Sequence, residues 1–240
     1  MPVAGRLAGG VLLSAGLVVI TLAGGAGGYG LGHLTEPRDQ PTASAAPLRP
    51  SAEVTPTPTE PLNIAVKDPT RALKKSELRY KERGFVAEKT VRSQVTVEVP
   101  RNWPMTLADP QDEARFTDPT GRRFVRVEAG FTIERLPKES MDVRVAQLAD
   151  TPHHEDLQIV STVVADDGRS ATLSYTWVPT QTRPHVPQSL RHVMVRWVAL
   201  DDTGNCAVEI GVGGLAQDKD GLLAVLERAT ETVTRSDSSL

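Results

Sequence analysis

From Gln94 onward the chain alternates apolar and polar positions with a period of two. Val95, Val97 and Val99 alternate with Thr96 and Glu98, and Pro100, which has no amide to donate, ends the run. Ala114 to Thr117 and Arg122 to Ala129 flank Asp118-Pro119-Thr120-Gly121, a turn whose proline and glycine supply the backbone angles a tight reversal needs. Leu157–Ala165 and Ser170–Trp177 form a second hairpin pattern across Asp166-Asp167-Gly168-Arg169. His192–Leu200 and Cys206–Val212 form a third across Asp201-Asp202-Thr203-Gly204-Asn205. These seven segments predict a mostly antiparallel sheet. Two stretches change period. Glu139 to Asp150 sets Met141, Val145 and Leu148 on one side of a helix. Asp220 to Val233 places Leu222, Leu226, Ala229 and Val233 along a single stripe. The pattern predicts an α+β domain over residues 93–240: a mostly antiparallel sheet of six to seven strands with helices on one face.

The opening of the chain follows a different rule. No side chain charged at neutral pH occurs from Leu7 to Gly32, a longer stretch than the ~20 residues needed to cross a hydrocarbon core. Arg6 precedes it within a short segment, residues 1–6, and no positive excess follows it. The expectation is therefore a single-pass transmembrane helix over 7–32, with the N-terminus cytoplasmic and the rest outside the cell. The alternative is a cleaved signal peptide and a secreted product, because the densest run, Val11 to Ala23, fits a signal core and glycines follow it. Residues 33–62 carry seven prolines and seven serines or threonines, a composition that builds no core and reads as a disordered, semi-rigid spacer.

Charge alters the picture only locally. The net charge of −3 gives no electrostatic case for nucleic acid. Residues 63–92 nevertheless carry +5 and residues 93–240 carry −7. Asp68-Pro69 has the form of a helix start and Gly84 that of a stop, with Glu77 and Lys81 suitably spaced as a pair between them. Arg71, Lys74, Lys75, Arg79, Lys81 and Arg83 are the candidate binding arm of this segment, facing an anionic wall polymer, lipid or acidic partner. The plainer reading is a solvated helix lying against the acidic domain.

The run Val97-Glu98-Val99-Pro100-Arg101-Asn102-Trp103, the hairpin Arg115-Phe116-Thr117-Asp118-Pro119-Thr120-Gly121-Arg122-Arg123-Phe124-Val125-Arg126-Val127, and Ser174-Tyr175-Thr176-Trp177 ahead of a closing amphipathic helix resemble the exported PsbP-like domains of actinobacteria. Those domains are related to the PsbP subunit of photosystem II and to LpqN-type lipoproteins. The resemblance spans roughly residues 94–234 and implies a non-catalytic binding or assembly module on a curved antiparallel sheet. The lipid-modified cysteine of the lipoproteins has no counterpart, since Cys206 is the single cysteine.

Catalytic chemistry has thin support. His153, His154 and Asp156 are the best local set for a metal ion, although adjacent histidines converge only in an irregular loop. His192 or His185 with Ser174 or Ser189 would need an added aspartate to make a triad, and no Gly-x-Ser-x-Gly elbow is present. Cys206 has the context of a buried residue. Gly211-Val212-Gly213-Gly214 suggests an anion cradle but reads more simply as glycines leaving a strand, and Asp218-Lys219-Asp220-Gly221 as a helix cap. Trp103, Trp177 and Trp197 are expected in the core, any one of them a candidate wall for a ligand groove. No cofactor is implied. The function expected is a membrane-anchored, non-enzymatic binding or sensing module whose partner is an envelope protein or wall component, met through a sheet face or the loops Trp103–Glu113 and Pro179–Gln188. The alternatives are an exported metal-dependent hydrolase and an anionic-polymer binder acting through the basic segment.

Overall fold

The computed structural model describes residues 62–108, 111–180 and 188–239. The expected span 7–32, the spacer up to residue 61 and the loop positions 181–187, His185 among them, lie outside the described residues. Among the described residues no helix is long and apolar enough to cross a membrane.

Among the described residues ten strands and two α-helices follow in the order β1 (Tyr80–Glu88), β2 (Arg92–Pro100), β3 (Met105–Leu107), β4 (Glu113–Thr117), β5 (Phe124–Glu128), α1 (Pro137–Leu148), β6 (Gln158–Val164), β7 (Ser170–Trp177), β8 (Arg191–Val198), β9 (Val208–Leu215), α2 (Lys219–Thr232) and β10 (Thr234–Ser238). They build an α+β fold with two antiparallel sheets. Seven strands run in the order β3-β4-β5-β9-β8-β7-β6, and three in the order β1-β2-β10.

The seven-strand count agrees with the sequence pattern, but the membership differs. The Val95–Val99 strand leaves the large sheet for the small one, and β3, inside the expected loop Trp103–Glu113, takes the place at the edge. The helix expected between Asp68 and Gly84 is absent. Only a 3-10 turn, Lys75–Glu77, forms there, and Tyr80–Glu88 pairs along its length with β2. Asp68 does accept the amide of Thr70, so the capping chemistry is present without a helix behind it. Ala72, Leu73, Leu78 and Tyr80 offer too poor a stripe to hold a helix, whereas Phe85 and Ala87 bury on alternate positions of a strand.

The helices also differ from expectation by lying on opposite faces of the large sheet. β8 explains this, because its run His192-Val193-Met194-Val195 is buried on both sides. Met194, Val198, Ile210 and Val212 pack with Leu222, Leu226 and Ala229 of α2 and with the valines of β2. Leu173, Tyr175, Val193, Val195 and Trp197 pack with Met141 of α1, and Val145 and Leu148 lie against the same cluster as their spacing predicts.

A buried ionic knot closes the end of the domain nearest residues 68–73. Arg123 donates from Nε to Asp218 Oδ2 at 2.9 Å and from Nη1 to Asp118 Oδ2 at 3.1 Å, and its Nη2 reaches the carbonyl of Arg71. Asp218 also accepts the amides of Leu73 and Leu215. The predicted helix cap at Asp218 is thus a completely buried hub tying the start of the domain to β5 and α2.

Candidate functional site: an arginine-lined cavity on the sheet

Register determines what the α1 face presents. Residues opposite one another across the large sheet share a face. One row crosses Glu113, Glu128, Glu209, Trp197 and Ala171; the next crosses Arg115, Arg126, Gly211, Val195 and Leu173; the third crosses Thr117, Phe124, Gly213, Val193 and Tyr175; the last crosses Leu215, Arg191 and Trp177. β9 contributes glycine to the two middle rows. A trough results, with a cationic bank on β4 and β5 and an aromatic and aliphatic bank on β7 and β8. Arg126 and Phe124 lean over the trough, since a Cβ on Gly211 would lie 3.5 Å from Arg126 Nε and one on Gly213 would lie 2.6 Å from the Phe124 ring.

The trough opens into a cavity of about 320 Å³ whose wall includes Arg115, Arg122, Arg126, Arg144 and Arg191 with Trp177. All five arginines are half-buried. Two have carboxylate partners: Arg122 meets Asp68 at 3.3 Å, and Arg126 meets Glu209 and, at 3.4 Å, Glu113. Burial works against the Arg126 charge, but Glu209, Glu113 and Glu128 outweigh it and raise its pKa. The other three have no carboxylate within ion-pair distance among the described residues. Arg115 stacks 3.8 Å over the Phe124 ring, Arg144 of α1 donates to Gln147 at 3.3 Å while its buried Nε lacks a hydrogen bond, and Arg191 donates to the carbonyl of Arg122 at 3.1 Å. Desolvation lowers the pKa of Arg115 and Arg191; at Arg115 the charge of Glu113 opposes it and Arg126 adds to it, and at Arg191 Arg122 adds to it while Asp68 and Asp218 oppose it. Among the described residues the cavity lining holds these five arginines and no carboxylate, while Glu113, Glu209, Asp68 and Asp218 act on them from outside that lining.

The residues singled out in the sequence lie mostly elsewhere. His153 and His154 sit in a 3-10 turn, Pro152 leading in and Asp156 leading out with a left-handed φ of 45°. His154 Nε2 is 3.0 Å from Thr180 Oγ1, and Asp156 Oδ1 accepts from Gln158 at 2.9 Å. Among the described residues no three His, Cys, Asp or Glu side chains converge in a metal-binding group. Ser174 and His192 do meet, at 3.1 Å, but on the α2 face of the sheet, where they are only 6% and 3% exposed. Burial lowers the His192 pKa, with Lys219 adding to the effect. Ser189 is buried. Burial pushes the Cys206 thiol up to about 11, which leaves it protonated and inert at neutral pH.

Trp103 and Trp197 are core residues, the latter donating Nε1–H to Glu209 at 2.9 Å; Trp177 is the one that reaches the cavity. Gly211 and Gly214 line that same cavity, from within a strand rather than from a cradle ahead of a helix. Of the basic arm, Arg71, Lys74, Lys75, Arg79 and Lys81 are exposed, and Arg83 is half-buried and donates to the carbonyl of Arg101 at 3.4 Å. Arg71 pairs with Glu77. The segment is stitched to the domain, with Gln217 donating to the carbonyls of Asp68 and Thr70.

No family model matches the chain, and neither does any curated protein. Among solved structures, it is similar to the Ran-binding protein Mog1p of Saccharomyces cerevisiae, at 12% identity and a TM-score of 0.44, over 66% of this chain and 96% of that one. It is also similar to LpqN of Mycobacterium tuberculosis, described as involved in cell envelope biogenesis, at 12% identity and a TM-score of 0.34, over 70% of this chain and 99% of that one.

Proposed function

We propose that this chain is a non-catalytic binding module, displayed outside the membrane on an N-terminal anchor and proline-rich spacer, and that it takes an anionic ligand in the cavity between α1 and the large sheet. The observation that carries the ligand-binding part is the set Arg115, Arg144 and Arg191, three half-buried guanidiniums around one cavity without carboxylate partners among the described residues. Partial burial of these charges costs free energy that an arriving anion recovers. The burial of Ser174 and His192 in the core supports binding over turnover, because a reacting pair needs access to substrate. The anchor rests on the uncharged run from Leu7 to Gly32.

Two measurements test the proposal. Protease added to intact cells removes the carboxyl-terminal domain if it is displayed and leaves it whole if it is cytoplasmic. Purified in uncharged detergent, the full chain retains an anionic fluorescent dye, and Arg115→Gln with Arg191→Gln weakens retention at least tenfold. Unchanged retention in the double variant excludes the cavity as the anion site.

A further inference from the structure

Trp177 and Arg191 stand directly opposite one another at the β7–β8 end of the cavity. Opposite residues in an antiparallel pair bring their Cβ atoms to within about 5.5 Å, so an indole face and a guanidinium fork share one patch. Trp177 is the tryptophan of the three that is not sealed into the core. Resting on the proposed role of the cavity as an anion site, we infer that its ligand class is a phosphomonoester carried on a sugar-sized ring, the ring lying on Trp177 and the phosphate gripped by Arg191, Arg115 and Arg144.

Charge and valence select the phosphomonoester. One carboxylate brings a single negative charge and two oxygens to three guanidiniums that no described carboxylate contacts directly. A phosphomonoester brings a charge of roughly −1.5 to −2 and three acceptor oxygens at neutral pH. Guanidinium forks bind such oxygens in pairs. Size selects a single ring. About 320 Å³ lies at the small end of ligand pockets, enough for one ring with its phosphate and too little for a folded segment of polymer. Ring geometry is matched by the bank across from Arg115, where Tyr175, Val193 and Pro179 continue the apolar surface begun by Trp177 beside Arg191. The glycines of β9 let Arg126 and Phe124 lean in from the cationic bank toward that surface.

The test is calorimetric titration of the full chain in an uncharged polyoxyethylene detergent with glucose 1-phosphate, inorganic phosphate and glucose, alongside vesicles of phosphatidylcholine containing phosphatidic acid. Glucose 1-phosphate is expected to bind one to one and at least tenfold more tightly than inorganic phosphate, with glucose not binding. Arg191→Gln and Arg115→Gln are expected to weaken both phosphates at least tenfold, with Arg191→Lys intermediate. Trp177→Ala is expected to erase the advantage of glucose 1-phosphate while leaving inorganic phosphate unchanged, and Trp177→Phe to retain part of it. Unaltered thermal melting of each variant shows that the fold is kept. Equal affinity for the two phosphates, or preferential capture of the ring-less lipid phosphate, overturns the ring inference and leaves the anion site standing. Absence of phosphate and dye binding alike overturns both.

Discussion

The ring of Phe124 lies over Gly213 of the neighbouring strand, so close that a methyl group at 213 would sit 2.6 Å from it. The same ring carries the guanidinium of Arg115, 3.8 Å from its centre. Glycine at 213 thus sets the height of an aromatic shelf, and the shelf sets where a cation of the cavity is held. Gly213→Ala forces the ring aside, and because a ring edge yields more readily than backbone, the stability cost is about 1 kcal/mol, the low end of overpacking. The larger effect falls on Arg115. Anion affinity is expected to drop severalfold while the urea midpoint moves little. A fall in midpoint with unchanged affinity would show that the stack does not position the arginine.

Arg123 makes the opposite kind of contribution. It is 6% exposed and is held between Asp118 and Asp218, themselves buried. Arg123→Met removes the cation and leaves two carboxylates without their partner, a change in the range of 3–5 kcal/mol. Denaturant unfolding is expected to show the full loss. The triple replacement of Arg123, Asp118 and Asp218 by apolar residues of similar size is expected to cost at least as much as the single one, because it also removes the acceptors of the Leu73 and Leu215 amides at Asp218 and of the Arg122 and Arg123 amides at Asp118. A single variant within 1 kcal/mol of the natural protein would contradict the burial.

How much of this was legible beforehand differs element by element. The strand pattern of β7 and the stripe of α2 were readable because each carries its own period, and the structure buries Ala171, Leu173 and Tyr175, and then Leu222, Leu226 and Ala229, as those periods require. β1 was not readable. Lys81, Glu82 and Arg83 occupy its first turns of the pleat, so the strand identifies itself only through its partner β2. β10 is polar and mostly exposed for the same reason. The cavity was less legible still. Its arginines, at positions 115, 122, 126, 144 and 191, come from separate elements, and only the register of four strands brings them together. The one available signal was polar residues on the second face of strands whose first face is apolar: Glu113 and Arg115 beside Ala114 and Phe116 in one, Arg126 and Glu128 beside Val125 and Val127 in the next.

The pH dependence of folding follows from His192. Its imidazole is buried on the α2 face, and burial holds its pKa below the ordinary 6.5. Above pH 6.5 the folded and unfolded chains are both neutral at this site and no penalty arises. As the pH falls through 6.5 the unfolded chain takes up a proton that the folded chain refuses, so stability declines by up to about 1.4 kcal/mol per pH unit until the folded pKa is passed. Asp237, held below its ordinary 3.8 chiefly by the Arg235 hydrogen bond, contributes a separate loss only in more acidic solution. Urea unfolding of the natural protein is expected to weaken between pH 6.5 and 5. His192→Gln, which preserves a hydrogen-bonding group beside Ser174, is expected to flatten that interval alone. Parallel curves for the two proteins there would remove His192 as the cause.

Two glycines give opposite expectations for the same substitution. Gly221 lies in the first turn of α2, where helix propensity alone favours alanine by about 1 kcal/mol. Its neighbour decides otherwise: a Cβ there would lie 2.4 Å from the backbone carbonyl oxygen of Leu73, whose amide is held by Asp218. Backbone cannot swing aside as a side chain can, so Gly221→Ala is expected to destabilise by about 2 kcal/mol net and to free the segment 68–73. Gly84 in β1 meets its nearest atoms at 3.8 Å, ordinary contact, and has no unusual backbone angle. Gly84→Ala is expected to be neutral or to stabilise by about 0.5 kcal/mol. Hydrogen exchange locates the first effect: the Leu73 amide loses protection in Gly221→Ala while the amides of β8 and β9 keep theirs. Retained protection at Leu73 would mean that the start of the domain is not pinned by α2.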